Sequence, residues 1–178
     1  EDVQTAEQAQ QPQNTKNSPE SRQPSKDKPK SGKTKHFYRK HGGCVISTSI
    51  NRYMYISIHP YFTEGYTALK YSRTEIVGDL RSIEHSIFNC VLNEKKIDSV
   101  EITSTADIPS GTGLGSSSAF TVGLLHTLYC YKGKYVSKTA IAEEACQIEI
   151  EKLGNPIGKQ DQYAAACGGL NFITFNKE

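Results

Sequence analysis

Eleven residues, Pro109-Ser-Gly-Thr-Gly-Leu-Gly-Ser-Ser-Ser-Ala119, constrain this chain more than any other part of it. Glycines at 111, 113 and 115 let the backbone take φ > 0 and approach a ligand with no Cβ in the way, so successive N–H groups can converge on an anion. An apolar helical pattern follows the serines at once. The N-terminus of that helix, with roughly half a positive charge and unpaired donors, therefore faces the same spot. The segment reads as a phosphate cradle between a strand and a helix; the alternative is a glycine-serine loop with a good N-cap.

Three familiar motifs are excluded by its spacing. A Walker loop needs Gly-Lys-Ser/Thr, but Gly115 is followed by Ser116 and the segment holds no lysine. A dinucleotide fingerprint is GxGxxG, whereas these glycines run GxGxG. A nucleophile elbow, GxSxG, would need a second glycine where Ala119 stands.

Composition divides the chain into two parts. Residues 1–35 contain no aromatic residue and only Val3 among the larger aliphatics, with Pro12, Pro19, Pro24 and Pro29 among many Gln, Ser and Lys. Such a segment cannot bury enough apolar area to offset its ordering entropy, and the expectation is a disordered polar tail. Seven basic and five acidic residues there account for the whole net charge of +2, leaving residues 36–178 formally neutral. A neutral folded part argues against nucleic acid as the partner, and the interspersed acids of the tail make it a solvated linker. No apolar run is long enough to span a membrane, and the first thirty residues lack the apolar core of a secretory signal. Cys44, Cys90, Cys130, Cys146 and Cys167 are odd in number and form no CxxC pair, which fits free thiols in a reducing, cytoplasmic compartment.

From residue 36 the pattern is that of one domain. Cys44 to Ile50 and Tyr53 to Ile58, separated by Asn51-Arg52, read as an antiparallel hairpin or as one long bent strand, and Tyr66 to Ser72 alternates similarly. Glu84 to Asn93 has Ile87, Phe88, Val91 and Leu92 at helical spacing, and Ser99 to Ser104 is the strand that enters the glycine loop. Phe120, Leu124, Leu125 and Leu128 form one face of the next helix. Another helix starts near Lys138 with Ser137 as N-cap, turns Ile141, Ala145 and Ile148 inward and ends near Gly154. Asn171 to Phe175 is a closing strand. These elements predict an α+β layer with strands covering helices on one side.

The loop resembles the ATP loop of the GHMP small-molecule kinases, Pro-x-x-x-Gly-Leu-Gly-Ser-Ser. The phrases Phe37-Tyr-Arg-Lys-His-Gly-Gly43, Tyr71-Ser-Arg-Thr-Glu75 and Gly158-Lys-Gln-Asp-Gln-Tyr-Ala-Ala-Ala166, followed by Gly168-Gly169-Leu-Asn-Phe172, are similar to the sugar-kinase branch of that family, nearest to members acting on heptose 7-phosphate and to fucokinase-like relatives. The resemblance implies the N-terminal domain of a GHMP kinase (ribosomal protein S5 domain 2-like), with the polar tail where the first strand and a Gly-Gly-Gly-Thr-Asp segment are expected and without the second domain. It implies transfer of the γ-phosphate of ATP to the anomeric hydroxyl of a sugar or sugar phosphate, such as heptose 7-phosphate to the 1,7-bisphosphate, for nucleotide-sugar and surface-polysaccharide synthesis. A non-catalytic relative that binds nucleotide, sugar phosphate or a protein is the alternative.

By the same resemblance Pro109, Gly111, Gly113, Leu114, Gly115, Ser116, Ser117 and Ser118 hold ATP, Ser117 and Glu149 hold Mg²⁺, and Asp161 is the base candidate. That division suits phosphoryl transfer, in which a cation and donors neutralise phosphate oxygens while a carboxylate orients or deprotonates the nucleophile. Mg²⁺ keeps several waters and commonly takes one or two protein oxygens besides the phosphates. Glu151 is the rival to Glu149, but two residues are about 200° apart on a helix, so both cannot face one ion. Arg73 is a candidate sugar-phosphate contact through its bidentate guanidinium. Lys159 either touches a substrate phosphate, lowers the pKa of Asp161, or is simply solvated.

Overall fold

The computed structural model describes residues 7–13, 41–109 and 111–176. A six-stranded mixed sheet lies against four helices. Its strands are β1 (Glu7–Gln13), β2 (Gly43–Pro60), β3 (Thr67–Lys70), β4 (Thr74–Val77), β5 (Val100–Ala106) and β6 (Leu170–Phe175). The order is β1-β2-β5-β3-β4, and β6 pairs with the first part of β2. All pairings are antiparallel except β3 with β5. The helices are α1 (Ser86–Lys95), α2 (Ser116–Tyr131), α3 (Lys138–Cys146) and α4 (Gln160–Cys167), and α3 runs directly into a π-helical turn, Gln147–Lys152.

Of the two readings left open for residues 44–58, the long strand is the one formed. β2 changes partners near Asn51 and Arg52: Gly43–Thr48 pair with β6, and Met54–Pro60 pair with β5. Along its second half Met54, Ile56 and Ile58 are buried while the residues between them are not, the period of two of a strand with one face on a core. Leu69 and Ile102 continue that face, and Phe88, Leu92, Leu124, Leu125 and Ile148 meet it from the helices.

Helix α2 is the centre of the domain. The sequence predicts one apolar face; in the structure Thr121, Val122, Gly123 and Thr127 are buried as well, because α3 and α4 cover the side turned away from the sheet. Small and hydroxyl-bearing residues suit that second face by letting helices approach closely. Ser137 caps α3 as expected, its Oγ accepting from the Ala140 amide at 3.3 Å.

The N-terminal segment differs from the composition-based expectation over seven residues. Glu7–Gln13 pair with Thr48–Ile56 of β2 at the sheet edge, so a strand does precede residue 36. Pairing of this kind draws on main-chain hydrogen bonds and needs no apolar side chains. The register shifts between Gln10 and Pro12, where proline has no N–H to give the ladder. The rest of the expected tail lies outside the described residues.

Candidate active site

The site grows from the end of β5. There the Tyr53 amide donates to Asp107 Oδ2 at 2.9 Å and the Asp107 amide returns a bond to the Tyr53 carbonyl, fixing the loop's first residue to β2. Gly111, Gly113 and Gly115 then take φ of 81°, 74° and 73°, in the region that favours glycine. A Cβ placed on Gly111 or Gly113 would meet no protein atom within 4 Å, so the backbone at those positions borders open space.

Gly115 is the N-cap of α2 and supplies no side-chain acceptor, and the first helical bond runs from the Ala119 amide to the Gly115 carbonyl at 2.9 Å. The amides of Ser116, Ser117 and Ser118 precede the first residue that the helix itself can satisfy. Ser116 Oγ is buried with no hydrogen-bond partner among the described residues. Three amides without helical acceptors, a hydroxyl with no partner among the described residues and the positive end of a 16-residue helix are together able to receive an anion.

Glu149 reaches the loop from the π-helical turn. The Leu153 amide bonds to the Ile148 carbonyl, five residues back, and the Asn155 amide bonds to the carbonyl of Glu149 itself. This wide turn leaves Glu149 fully buried and Glu151 exposed. Glu149 Oε2 accepts from Ser117 Oγ at 3.0 Å, and Oε1 accepts from Gln162 Nε2 at 3.1 Å. Burial raises the carboxyl's pKa, and donors including Gln162 and Ser117 pull against that rise without cancelling it. Asp161 sits in the first turn of α4, part-buried, and burial raises its pKa too.

One cavity of ≈ 580 Å³ joins these groups. Pro109, Gly111, Gly113, Gly115, Ser116, Ser117 and Ser118 line it together with Glu149 and Asp161. Leu114 does not, and Arg73 and Lys159 stand apart from it. Arg73, in the turn between β3 and β4, pairs with Glu84 at 3.5 Å in solvent. Lys159 pairs with Glu143 on α3 at 3.5 Å, and Glu143 also accepts from the Tyr163 hydroxyl at 2.7 Å. The geometry therefore lends neither cation the substrate contact expected of it.

The other end of the cavity was not singled out from the sequence. Met54, Tyr71, His85, Ile87 and Phe120 form an apolar and aromatic wall. The Tyr71 and His85 rings meet edge-on at 4.9 Å, and His85 lies 5.1 Å from Phe120. Burial lowers the His85 pKa and its Nδ1 accepts from the Phe88 amide at 3.4 Å, so the ring stands as a neutral N-cap of α1. Tyr71 donates to Glu75 Oε1 at 2.6 Å, and the phenol is pushed up to about 12 by burial and by that carboxylate. Glu75 in turn accepts from the amides of Glu84 and His85, which fixes the entry to α1. The phrase Tyr71-Ser-Arg-Thr-Glu75 was the available signal, and its lining residues are Tyr71 and Ser72.

Residues 81–169, half of the chain, match the N-terminal domain of the GHMP kinases. A D-glycero-alpha-D-manno-heptose 7-phosphate kinase of Campylobacter jejuni is 36% identical over 110 residues, 60% of this chain and 32% of that protein. A galactokinase of Thermotoga maritima is 26% identical over 140 residues, 75% of this chain and 40% of its own length. Among solved structures, a D-glycero-D-manno-heptose 1-phosphate kinase from Bacteriodes thetaiotaomicron superposes with a TM-score of 0.71 at 26% identity, covering 80% of this chain and 50% of that one. The Methanococcus jannaschii mevalonate kinase shares the fold at a TM-score of 0.68 and 17% identity, over 98% of this chain and 55% of its own. This chain thus spans between about a third and about half of the length of these proteins. With the glycine loop, the helix behind it and the Ser117–Glu149 pair all inside the matched region, the chain belongs to the GHMP kinases and carries their N-terminal domain.

Proposed function

We propose that this domain binds Mg·ATP in the ≈ 580 Å³ cavity and phosphorylates a hydroxyl of a sugar or sugar phosphate, with the anomeric hydroxyl of a heptose 7-phosphate as the first acceptor to test. The observation that carries the reading is the convergence of Ser117 Oγ and a buried Glu149 carboxylate, 3.0 Å apart, at the uncapped start of α2.

The residues present fit the cofactor. Two hard oxygen ligands this close suit a small divalent cation that keeps water and phosphate oxygens in its other positions. A carboxylate held without charge compensation at 0% exposure gains a counter-charge when the cation enters. The loop amides and Ser116 Oγ would take phosphate oxygens, and the Tyr71–His85–Ile87 wall offers an apolar face to a purine. Mg²⁺ held by Ser117 and Glu149 would neutralise charge on the phosphate oxygens.

Asp161 supplies the remaining group. It stands on the cavity wall at the N-terminal turn of α4, and a pKa raised by burial makes its carboxylate a stronger proton acceptor than an exposed aspartate. It takes the proton of the acceptor hydroxyl as that oxygen bonds to the γ-phosphorus and the β–γ bridging oxygen leaves with ADP. Related kinases have about twice this length or more.

The test is ADP release with Mg·ATP and a panel of heptose 7-phosphate, galactose, fucose and mannose, with Asp161→Asn as the blank. Release with one acceptor identifies the substrate. Nucleotide binding without release under any acceptor supports the second reading, a binding module, which the partial coverage of the relatives favours for this length of chain. No nucleotide binding at millimolar Mg·ATP refutes both. A small-molecule acceptor also accords with the formally neutral residues 36–178. No helix among the described residues is long and apolar enough to cross a membrane.

A further inference from the structure

Gln162 is the largest polar side chain in the core besides Glu149, and both have 0% exposure. Its Nε2 donates to Glu149 Oε1 at 3.1 Å. Its Oε1 is buried with no hydrogen-bond partner among the described residues. The orientation of the amide follows from chemistry: a carboxylate only accepts, so the NH₂ group must face Glu149. The orphaned carbonyl is therefore what remains after that demand is met. A side chain needed only to fill the space between α4 and the π-helical turn would be apolar and would carry no such cost.

The last torsion of a glutamate is broad, so rotamer preference alone does not decide where its two oxygens point. Ser117 can hold one oxygen by its hydroxyl, but that hydroxyl is also the second ligand proposed for the cation. Ser118 and Thr121 also bear on the carboxylate, and Gln162 is the amide that donates to its other oxygen, Oε1. It is also joined directly to Asp161. Successive helical residues are about 100° apart, so the same turn of α4 puts Asp161 on the cavity wall and Gln162 against Glu149.

We propose that Gln162 is a positioning residue for the cation: it pins Glu149 Oε1, so that Oε2 and Ser117 Oγ form the oxygen pair the metal takes, and it registers the helix bearing Asp161 against that pair. The inference rests on the reading of Ser117 and Glu149 as the cation's ligands. Outer groups that orient a metal ligand typically change metal affinity by about 10–100-fold when removed.

The experiment measures ADP binding by calorimetry in Mg²⁺ and in EDTA, for the wild-type chain and for Gln162→Met, which keeps the length and removes both polar atoms. The ratio of the two Kd values isolates the metal's share. The expected result is a ratio reduced about tenfold in Gln162→Met, with ADP binding in EDTA within about twofold of wild type, as the loop amides are untouched. A packing role alone would lower thermal stability and leave the ratio unchanged, and an unchanged ratio overturns the proposal. Should Gln162→Met not fold, the wild-type side-chain amide signal of Gln162 decides: it shifts when Mg²⁺ is added to the ADP-saturated protein, and a signal that stays still overturns the proposal. A wild-type chain with no Mg²⁺-dependent ADP affinity refutes the ligand reading itself, and the role of Gln162 falls with it; a normal wild-type ratio that the variant retains refutes Gln162 alone.

Discussion

Replacing Glu149 with glutamine should make the metal-free protein more stable and the nucleotide-bound protein less so. Glu149 is fully buried, and its carboxyl pKa is raised by burial despite the bonds from Gln162 and Ser117. A neutral amide removes the buried charge. In Glu149→Gln, Ser117 Oγ donates to the new carbonyl, and the new NH₂ group can donate to the Gln162 carbonyl once that amide flips; the flip exchanges an unpaired carbonyl for an unpaired NH₂ group, so the gain is the loss of the buried charge. Leaving a buried polar group undersatisfied costs about 1–3 kcal/mol, and a charge at least as much. With roughly 2–4 °C per kcal/mol for a domain of this size, Tm in EDTA should rise by about 2–12 °C at pH 8. The sign with pH follows from the raised pKa: the stability linked to a protonated Glu149 is fully present below the ordinary value of 4.5 and is lost as pH rises through the folded-state pKa. The Tm difference should therefore shrink as pH falls from 8 towards 4.5. ADP with Mg²⁺ at about 100 times its Kd should add about 2.7 kcal/mol to the wild type, and the Mg²⁺-dependent part should vanish in the variant, reversing the order of stability. Differential scanning fluorimetry in EDTA and in Mg·ADP across pH reads all of this. A variant less stable than wild type in EDTA, or one with an undiminished Mg²⁺ response, would refute the reasoning.

Asp161→Asn should lower turnover by at least about 100-fold, as expected for loss of a positioned general base, while calorimetry finds Mg·ADP affinity within about twofold of wild type; turnover near normal removes Asp161 from the mechanism. Gly113→Val puts a β-branched residue at a φ of 74° in the loop, and should weaken ADP binding in EDTA and in Mg²⁺ alike, in contrast to Gln162→Met. Cys146 is buried, with burial pushing its thiol up to about 12, so at pH 8 a thiol reagent should label exposed Cys44 and spare Cys146 until the protein unfolds; peptide mass spectrometry after timed quenching checks the order. Ser137→Ala removes the cap of α3 and should cost about 1 kcal/mol in urea unfolding, and no change in the midpoint would show that the cap bond carries no stability.

The conformation of the glycine loop was legible because its requirement is local: positive φ and absent side chains are written as glycine, and the helix start is written beside them. The Ser117–Glu149 pair needed the resemblance as well, since 32 residues separate the partners and no spacing rule connects them. Glu149 and Glu151 are separated by an argument for an α-helical turn, yet the segment is π-helical; residues two apart point to nearly opposite sides in either geometry, and one is buried while the other is exposed. The aromatic wall was hidden because Tyr71 and His85 meet only after β3, β4 and the following turn fold back, with Glu75 bonding to the amides of Glu84 and His85. Arg73 and Lys159 show the complementary limit. Sequence reveals a cation but not the carboxylate that reaches it first, Glu84 in one case and Glu143 in the other.

Placement in the fold explains how one domain brings the proposed site together. The glycine loop joins β5 to α2, the helix most deeply enclosed in the core, so it is anchored on both sides by buried structure. Glu149 and Asp161 arrive from one continuous stretch, the π-helical turn and the start of α4, and α4 packs on both α2 and α3. Relative motion of Ser117, Glu149 and Asp161 is therefore opposed by the same core that gives the domain its stability. Outside the cavity lining, Ile46 faces Phe172 across β2 and β6, and both side chains, with neighbouring Leu170, are more than 60% exposed. If the proposed nucleotide site lies here, this chain should bind Mg·ADP on its own, because the groups proposed to hold phosphate and metal are braced internally; calorimetry that finds no binding at millimolar Mg·ADP would refute that step.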